Sequence, residues 1–172
     1  MVGPGQSVME EAVFRQIYDS HLEDLLRYAY FRTGNLSDAE DVVAQVFLKA
    51  WEALPAYEQR GIPFLHWLYR IAGNTIKNTY RRREVPVGWE PMATAAAAQQ
   101  ELESTADRLD LGRLLANLPE KQQQVLVLRY VQDLSVRDVA KIMGKSENAI
   151  KQLAFRALQS LREGVGIDEE NR

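Results

Sequence analysis

Residues 134–162 read LSVRDVAKIMGKSENAIKQLAFRALQSLR, and the pattern inside this stretch decides the fold. Ser135-Val136-Arg137-Asp138 has the form of a capping box with Asp in place of the usual Glu. Val139, Ala140, Ile142 and Met143 then supply one apolar side of a short helix. Gly144 breaks that helix and Ser146 is placed to cap the next. Ile150, Leu153, Ala154, Ala157, Leu158 and Leu161 recur at helical spacing as its inward face. A short helix, a glycine turn and a second capped helix are the parts of a helix-turn-helix, which lays its second helix in the major groove of DNA. The outward residues near the start of that helix are Glu147, Asn148, Lys151, Gln152 and Phe155, with Arg156 beyond. Asn and Gln can read adenine, Glu can accept from cytosine, and Lys can serve guanine or phosphate. Ser146 and the helix N-terminus suit a backbone phosphate. From spacing alone an ordinary helical hairpin with a polar face remains an alternative.

Upstream, the chain continues as helix. Leu109, Leu114, Leu115 and Leu118 precede Pro119, a residue at home at a helix start, and Val125, Leu126, Leu128 and Tyr130 follow in a helix expected to end near Asp133. In the first half, Phe14, Ile17, Tyr18, His21, Leu22, Leu25 and Ala29 recur helically up to a break at Thr33-Gly34-Asn35. Ser37-Asp38-Ala39-Glu40 reads as a capping box, with Ser37 as N-cap and Glu40 reaching back. Its helix places Ala39, Val42, Val43, Val46, Phe47, Ala50 and Leu54 on one side and stops before Pro55. Residues 55–63 form a proline-bounded loop. A helix then spans about Phe64 to Arg83, with Phe64, Leu68, Ile71, Ala72, Thr75 and Ile76 as the buried stripe. Arg70, Asn74, Lys77 and Arg81 occupy another face, three bases and an amide with no acid. Residues 84–104, with Pro86, Gly88, Pro91 and an alanine run, have the composition of a linker. The expected architecture is all-α: two small helical domains joined by a flexible linker, the C-terminal one a helix-turn-helix. The boundaries are 8–84, a linker 85–105, a domain 106–164 and an acidic tail 165–172.

The 172 residues carry a net charge of −3. That balance hides alternating blocks: −6 over 10–59, +5 over 60–84, −4 over 85–111, +4 over 112–164 and −2 over 165–172. Two basic blocks separated by acidic ones fit two polyanion-facing surfaces, although solvated charge alone gives similar runs. There is no cysteine, which excludes disulfides and thiolate chemistry. No apolar run reaches the ~18 residues of a membrane span, and no signal peptide opens the chain, so no membrane insertion and a cytoplasmic location are expected. His21 and His66 lie on separate helices without metal-binding spacing, and no phosphate-binding glycine loop occurs. No catalytic residue, no metal and no cofactor is expected, and the chain does not read as an enzyme.

Three segments together resemble one family. LPEKQQQVLVLRYVQDLSVRDVAKIMGKSENAIKQLAFRALQSLRE (118–163) is similar to the C-terminal DNA-binding domain of extracytoplasmic-function (ECF) sigma factors. DAEDVVAQVFLKAWEAL (38–54) resembles their polymerase-binding helix, and PFLHWLYRIAGNTIKNTYRRR (63–83) their promoter-melting helix. The resemblance implies a protein that binds core RNA polymerase and directs it to minus-35 and minus-10 promoter elements. Residues 38–54 would dock on the clamp helices of the largest polymerase subunit, through Asp41, Ala44, Gln45, Leu48 and Lys49. Many members carry Gln followed by Glu or Asp where this chain has Ala44-Gln45. Melted minus-10 DNA would meet Tyr57, Gln59, Arg60, Arg70, Asn74, Lys77, Asn78 and Arg81, chemistry suited to an unstacked base and a tracked backbone. Trp67 reads as core and His66 as a packing or surface residue. Duplex minus-35 DNA would meet Ser146, Glu147, Asn148, Lys151, Gln152, Phe155 and Arg156. The family also implies an anti-sigma protein as regulatory partner. Two other readings stand beside this one. A conventional helix-turn-helix regulator would leave the first-half motifs without a role, and an adaptor for acidic proteins would show no DNA specificity.

Overall fold

The computed structural model describes the backbone of residues 4–58, 61–82 and 105–170, and the side chains of 10–58, 61–79 and 111–164. No strand occurs among them. The first unit comprises α1 (Pro4–Thr33), α2 (Leu36–Ala53) and α3 (Phe64–Arg82). The second comprises α4 (Thr105–Ala116), α5 (Glu120–Leu126), α6 (Val136–Met143) and α7 (Glu147–Glu170).

α1 stops where Gly34 takes a φ of +83°, a left-handed turn that costs glycine little. The cap of α2 differs from the expected one. Asn35, not Ser37, is the N-cap, its Oδ1 accepting from the Asp38 N–H at 2.8 Å and its Nδ2 donating to Asp38 Oδ2 at 2.9 Å. Asn35 is buried, so an amide paired on both ends satisfies the helix start without water, while Ser37 lies exposed. Ala39, Val42, Val43, Val46, Phe47 and Ala50 bury as the spacing required. Pro55 falls in a 3-10 turn (Leu54–Ala56) that ends the helix.

α3 buries Leu68, Ala72, Thr75 and Ile76, and also His66, Tyr69 and Gly73. This second set meets the other unit: Tyr69 bonds Gln132, His66 approaches Asp138, and Gly73 lies against Gln124. The two units are therefore packed face to face, and their buried side chains form one continuous cluster.

In the second unit, α5 opens at Leu126 into a wider π-turn (Val127–Val131), closed by Asp133 at φ +52°. Gln132 N–H reaches Val127 O at 2.9 Å, and Leu134 N–H reaches Leu128 O at 3.1 Å. The widening carries Tyr130 out of the apolar series in which its spacing placed it, and it is exposed. Ser135 caps α6 as expected, accepting from Asp138 N–H at 3.1 Å and donating to Asp138 Oδ2 at 2.7 Å. Along α7, Ile150 and Ala157 are buried. Leu158, expected inward, is exposed, and the helix continues to Glu170 through most of the stretch read as an acidic tail. Of the linker assigned to 85–105, residues 85–104 lie outside the described ones, and Thr105 opens α4 instead.

Candidate nucleic-acid interface

The turn between α6 and α7 sets the first surface. Gly144 adopts φ +63° and ψ +40°, and its N–H closes on Ala140 O. Ser146 then accepts from Ala149 N–H at 3.1 Å. That bond uses a lone pair and leaves the hydroxyl proton for an outside acceptor. Glu147, Asn148, Lys151, Gln152, Phe155 and Arg156 are all exposed. Their spacing places the first five along one side of α7. Phe155 is 65 % exposed, a large ring on the side that carries the amides and Lys151. An apolar group there can meet a thymine methyl while the amides pair with base edges.

The second surface lies on α3. Arg70, Asn74 and Lys77 are exposed, as the polar stripe required, and so is Asn78. Tyr57 is half-buried in a small aromatic group, with ring centroids 5.1 Å from Phe64 and 4.7 Å from Trp67. Phe64 and Trp67 are themselves 5.0 Å apart, so Trp67 packs within the unit. Beside them opens a cleft of about 340 Å³ lined by Tyr57, Ile62, His66, Trp67 and Arg70. Its far wall is Lys141 and Ile142 of α6, so the two candidate surfaces adjoin in this chain. Gln59 and Arg60 lie outside the described residues, and of Arg81 only the backbone, within α3, is described.

Arg70 is held. Its Nε donates to Ile142 O at 3.3 Å and its Nη2 to Lys141 O. His66 is buried, its Nδ1 without a hydrogen-bond partner and 4.0 Å from Asp138 Oδ1. Burial pushes the His66 pKa below its ordinary value; Asp138 opposes that shift and Lys141 adds to it. Burial likewise pushes the Tyr69 hydroxyl up.

On α2, Asp41, Ala44, Gln45, Leu48 and Lys49 are exposed along one face. Lys49 Nζ donates to Thr75 Oγ1 on α3 at 2.9 Å, which orients its stem across the groove between the helices. Leu48 is 58 % exposed and Trp51, one turn on, 39 %. Trp51 was missed in the sequence, although its i+3 spacing from Leu48, off the buried stripe, was a usable signal. The Trp51 ring sits edge-on to Phe14 of α1 at 4.9 Å. Together these residues make a mixed apolar and polar face of the kind that protein partners cover.

Arg32 was also missed. Its side chain is fully buried, donating to Tyr28 Oη at 2.7 Å and Gln123 Oε1 at 3.3 Å, with Glu120 Oε1 at 3.5 Å. Among the described residues, no group of three or more His, Cys, Asp or Glu could hold a metal ion, and no helix is long and apolar enough to cross a membrane.

Two family models match the chain: Sigma-70 region 2 over residues 17–85 and Sigma-70 region 4 over residues 108–161. The ECF RNA polymerase sigma factor BldN of Streptomyces coelicolor is 33 % identical over 159 residues, covering 88 % of this chain and 60 % of that longer protein. The ECF RNA polymerase sigma factor SigD of Mycobacterium tuberculosis is 31 % identical over 175 residues, covering 92 % of this chain and 82 % of that one. Among solved structures, RpoE of Bartonella quintana, in complex with the anti-sigma factor NepR, superposes with a TM-score of 0.71 at 26 % identity, over 90 % of this chain and 98 % of that one. CnrH in complex with the cytosolic domain of CnrY superposes with a TM-score of 0.69 at 27 % identity, over 92 % and 90 %.

Proposed function

The chain belongs to the ECF sigma factors of bacterial RNA polymerase, and we propose that it binds core polymerase and directs initiation at promoters with specific minus-35 and minus-10 elements. The observation that carries this reading is the pairing of two exposed DNA-suited faces, on α3 and α7, with a separate partner-suited face on α2. A conventional helix-turn-helix regulator would account for α6 and α7 and leave the region 2 match without a role.

In this reading residues 8–84 bind polymerase and minus-10 DNA, and 106–164 bind minus-35 DNA. The α2 face, Asp41, Ala44, Gln45, Leu48 and Lys49 with Trp51 added, docks on the clamp helices of the largest polymerase subunit. α7 enters the major groove of the minus-35 element: Asn148, Lys151 and Gln152 read base edges, Glu147 accepts from cytosine, Phe155 meets a methyl, and Ser146 and Arg156 hold phosphate. The minus-10 strand runs along Arg70, Asn74, Lys77 and Asn78, with Gln59, Arg60 and Arg81 beside it. One unstacked base enters the cleft at Tyr57. The protein acts as an initiation factor without a reaction of its own, in the cytoplasm, and an anti-sigma protein restrains it. The complex of RpoE with the anti-sigma factor NepR supports that last element.

Run-off transcription with core polymerase and a cognate promoter tests the reading. The expected result is a promoter-specific transcript that core alone does not make; no stimulation over core would overturn it.

A further inference from the structure

A second hollow opens in the seam between the units, sharing Arg70 and Ile142 with the aromatic cleft. It encloses about 130 Å³ between α3, the start of α5 and the turn that follows α6. Four cations stand around it: Arg70 and Lys77 from α3, Lys121 from α5 and Lys145 from the turn. One carboxylate also reaches it, that of Glu120, and this group faces the buried Arg32 at 3.5 Å. The hollow is basic, and its acid is committed elsewhere.

Surface lysines on helices are commonly offset by an acid one turn away. Here no acid stands three or four positions from Lys77, Lys121 or Lys145. Among the described residues none of the three forms an ion pair, and the Asn74 side chain beside Lys77 makes no hydrogen bond. Arg70 is only partly used. Its Nε and Nη2 donate to Ile142 O and Lys141 O, which fixes the guanidinium and leaves Nη1 free to donate. Gly73 keeps one more donor in the wall. A Cβ there would stand 2.7 Å from Gln124 Nε2, so the missing side chain lets that amide lie against α3, where Gln124 hydrogen-bonds the Tyr28 hydroxyl.

Like charges gathered at one place repel, and dissolved salt screens them only in part. Arg70 and Lys77 belong to one unit, Lys121 and Lys145 to the other, so packing itself assembles the unpaired cluster. An anion with several oxygens answers it, because charge-assisted bonds from ammonium and guanidinium groups to phosphate are among the stronger hydrogen bonds. A carboxylate brings a single charge against four cations, whereas a phosphate chain brings several. Size narrows the choice further. The hollow falls well below the roughly 300 Å³ at which sites for whole organic ligands begin, and no aromatic ring lines it. It suits a phosphate chain and not a nucleobase with its sugar.

We propose that this hollow is a binding site for a short phosphate chain, either a free diphosphate or triphosphate or the tail of a nucleotide. The site does not rest on the sigma-factor reading above. Lys121 and Lys145 lie outside the residues assigned to promoter contacts, whereas Arg70, Asn74 and Lys77 are shared with the proposed minus-10 face. A bound phosphate chain and a minus-10 strand therefore exclude one another at those three residues.

Titration calorimetry of the full chain with sodium diphosphate tests the site, with sodium chloride holding the ionic strength constant. Saturable binding of one diphosphate per chain is expected. Lys121→Gln/Lys145→Gln should weaken it by about tenfold or more, while Lys121→Arg/Lys145→Arg stays within about threefold. Arg113→Gln/Arg162→Gln removes the same charge away from the hollow and should also stay within about threefold. No saturable binding, or equal weakening by the two glutamine pairs, overturns the site. Urea unfolding supplies a second measurement. Without phosphate, the Lys121→Gln/Lys145→Gln chain should unfold at no lower urea than the unmodified one, and diphosphate should raise the midpoint of the unmodified chain only. A lowered midpoint without phosphate would make the lysines part of the packing and overturn the proposal. Adenosine diphosphate separates the two sources. Affinity equal to that of diphosphate assigns the site to a phosphate tail whichever molecule carries it, and failure to bind confines it to the free anion. A single-stranded oligonucleotide that needs Lys121 and Lys145, where diphosphate does not bind, gives the cluster to DNA and overturns the proposal.

Discussion

The two DNA-suited faces are built in opposite ways. On α7 the proposed reading residues stand exposed on a helix whose start is fixed locally, by Gly144 and Ser146. On α3 the corresponding residues adjoin a seam: Arg70 bonds α6, and His66, Tyr69 and Gly73 on the same helix are buried by the other unit. A preformed helix can meet intact duplex as a rigid body. The proposed minus-10 face instead has Arg70 already engaged by α6.

The largest expected effect breaks the α7 side through its core. Ile150→Ala removes a side chain with no exposed surface and should cost about 2–5 kcal/mol of stability. Urea unfolding measures it. A loss below 1 kcal/mol would mean that α7 is not held as described. Next, Lys151→Ala and Gln152→Ala should each weaken binding to minus-35 duplex by about 1–3 kcal/mol without changing the unfolding midpoint. Unchanged promoter preference would place the reading face elsewhere on the helix. On the α3 side, Asn74→Ala and Lys77→Ala should impair strand opening more than closed-complex formation, seen as weaker permanganate reactivity near the start site. Lys77→Ala should also lower the salt dependence of binding by about one phosphate contact.

The smallest effect concerns pH. Burial depresses the His66 pKa, so the packed chain binds fewer protons than the unfolded one, in which the ring is hydrated. Its contribution is fully present above about pH 6.5 and is lost as pH falls through that value toward the depressed one. Asp138 and Lys141 on α6 and Arg70 on α3 face the ring, and Asp138 limits the size of the loss. Stability in urea should therefore fall between about pH 7.5 and 5.5, and His66→Phe should flatten that change.

What could be read in the sequence divides along the same line. The caps at Ser135 and Ser146, the turn at Gly144 and the stripe Ala39–Ala50 are local signals, decided within one or two helical turns, and they appear where expected. The cap of α2 shifted because Asn35 and Ser37 are both competent, and only burial separates them. The π-turn at Val127–Val131 has no local signature, so Tyr130 stayed in the wrong series. Arg32, Gly73, Gln123 and Gln132 gave no warning, because their partners are distant in sequence. The Gln132 bond to Asp24 spans 108 positions. Side chains that look solvated when one helix is read alone are covered where the second unit packs on it.

α7 also keeps reading and holding apart. Ile150 and Ala157 anchor it, while Asn148, Lys151, Gln152 and Phe155 alternate with them on the open side. Exposed substitutions away from special features usually change stability by less than about 0.5 kcal/mol. A duplicated gene for such a chain could therefore acquire a new set of promoters in a few steps without passing through an unstable intermediate. The α3 face has less of that freedom, because a change at Arg70 alters the proposed DNA contact and the bonds to α6 together. Divergence after duplication should accumulate first at the outward positions of α7, and repertoires of target genes should drift faster than the mechanism that opens them.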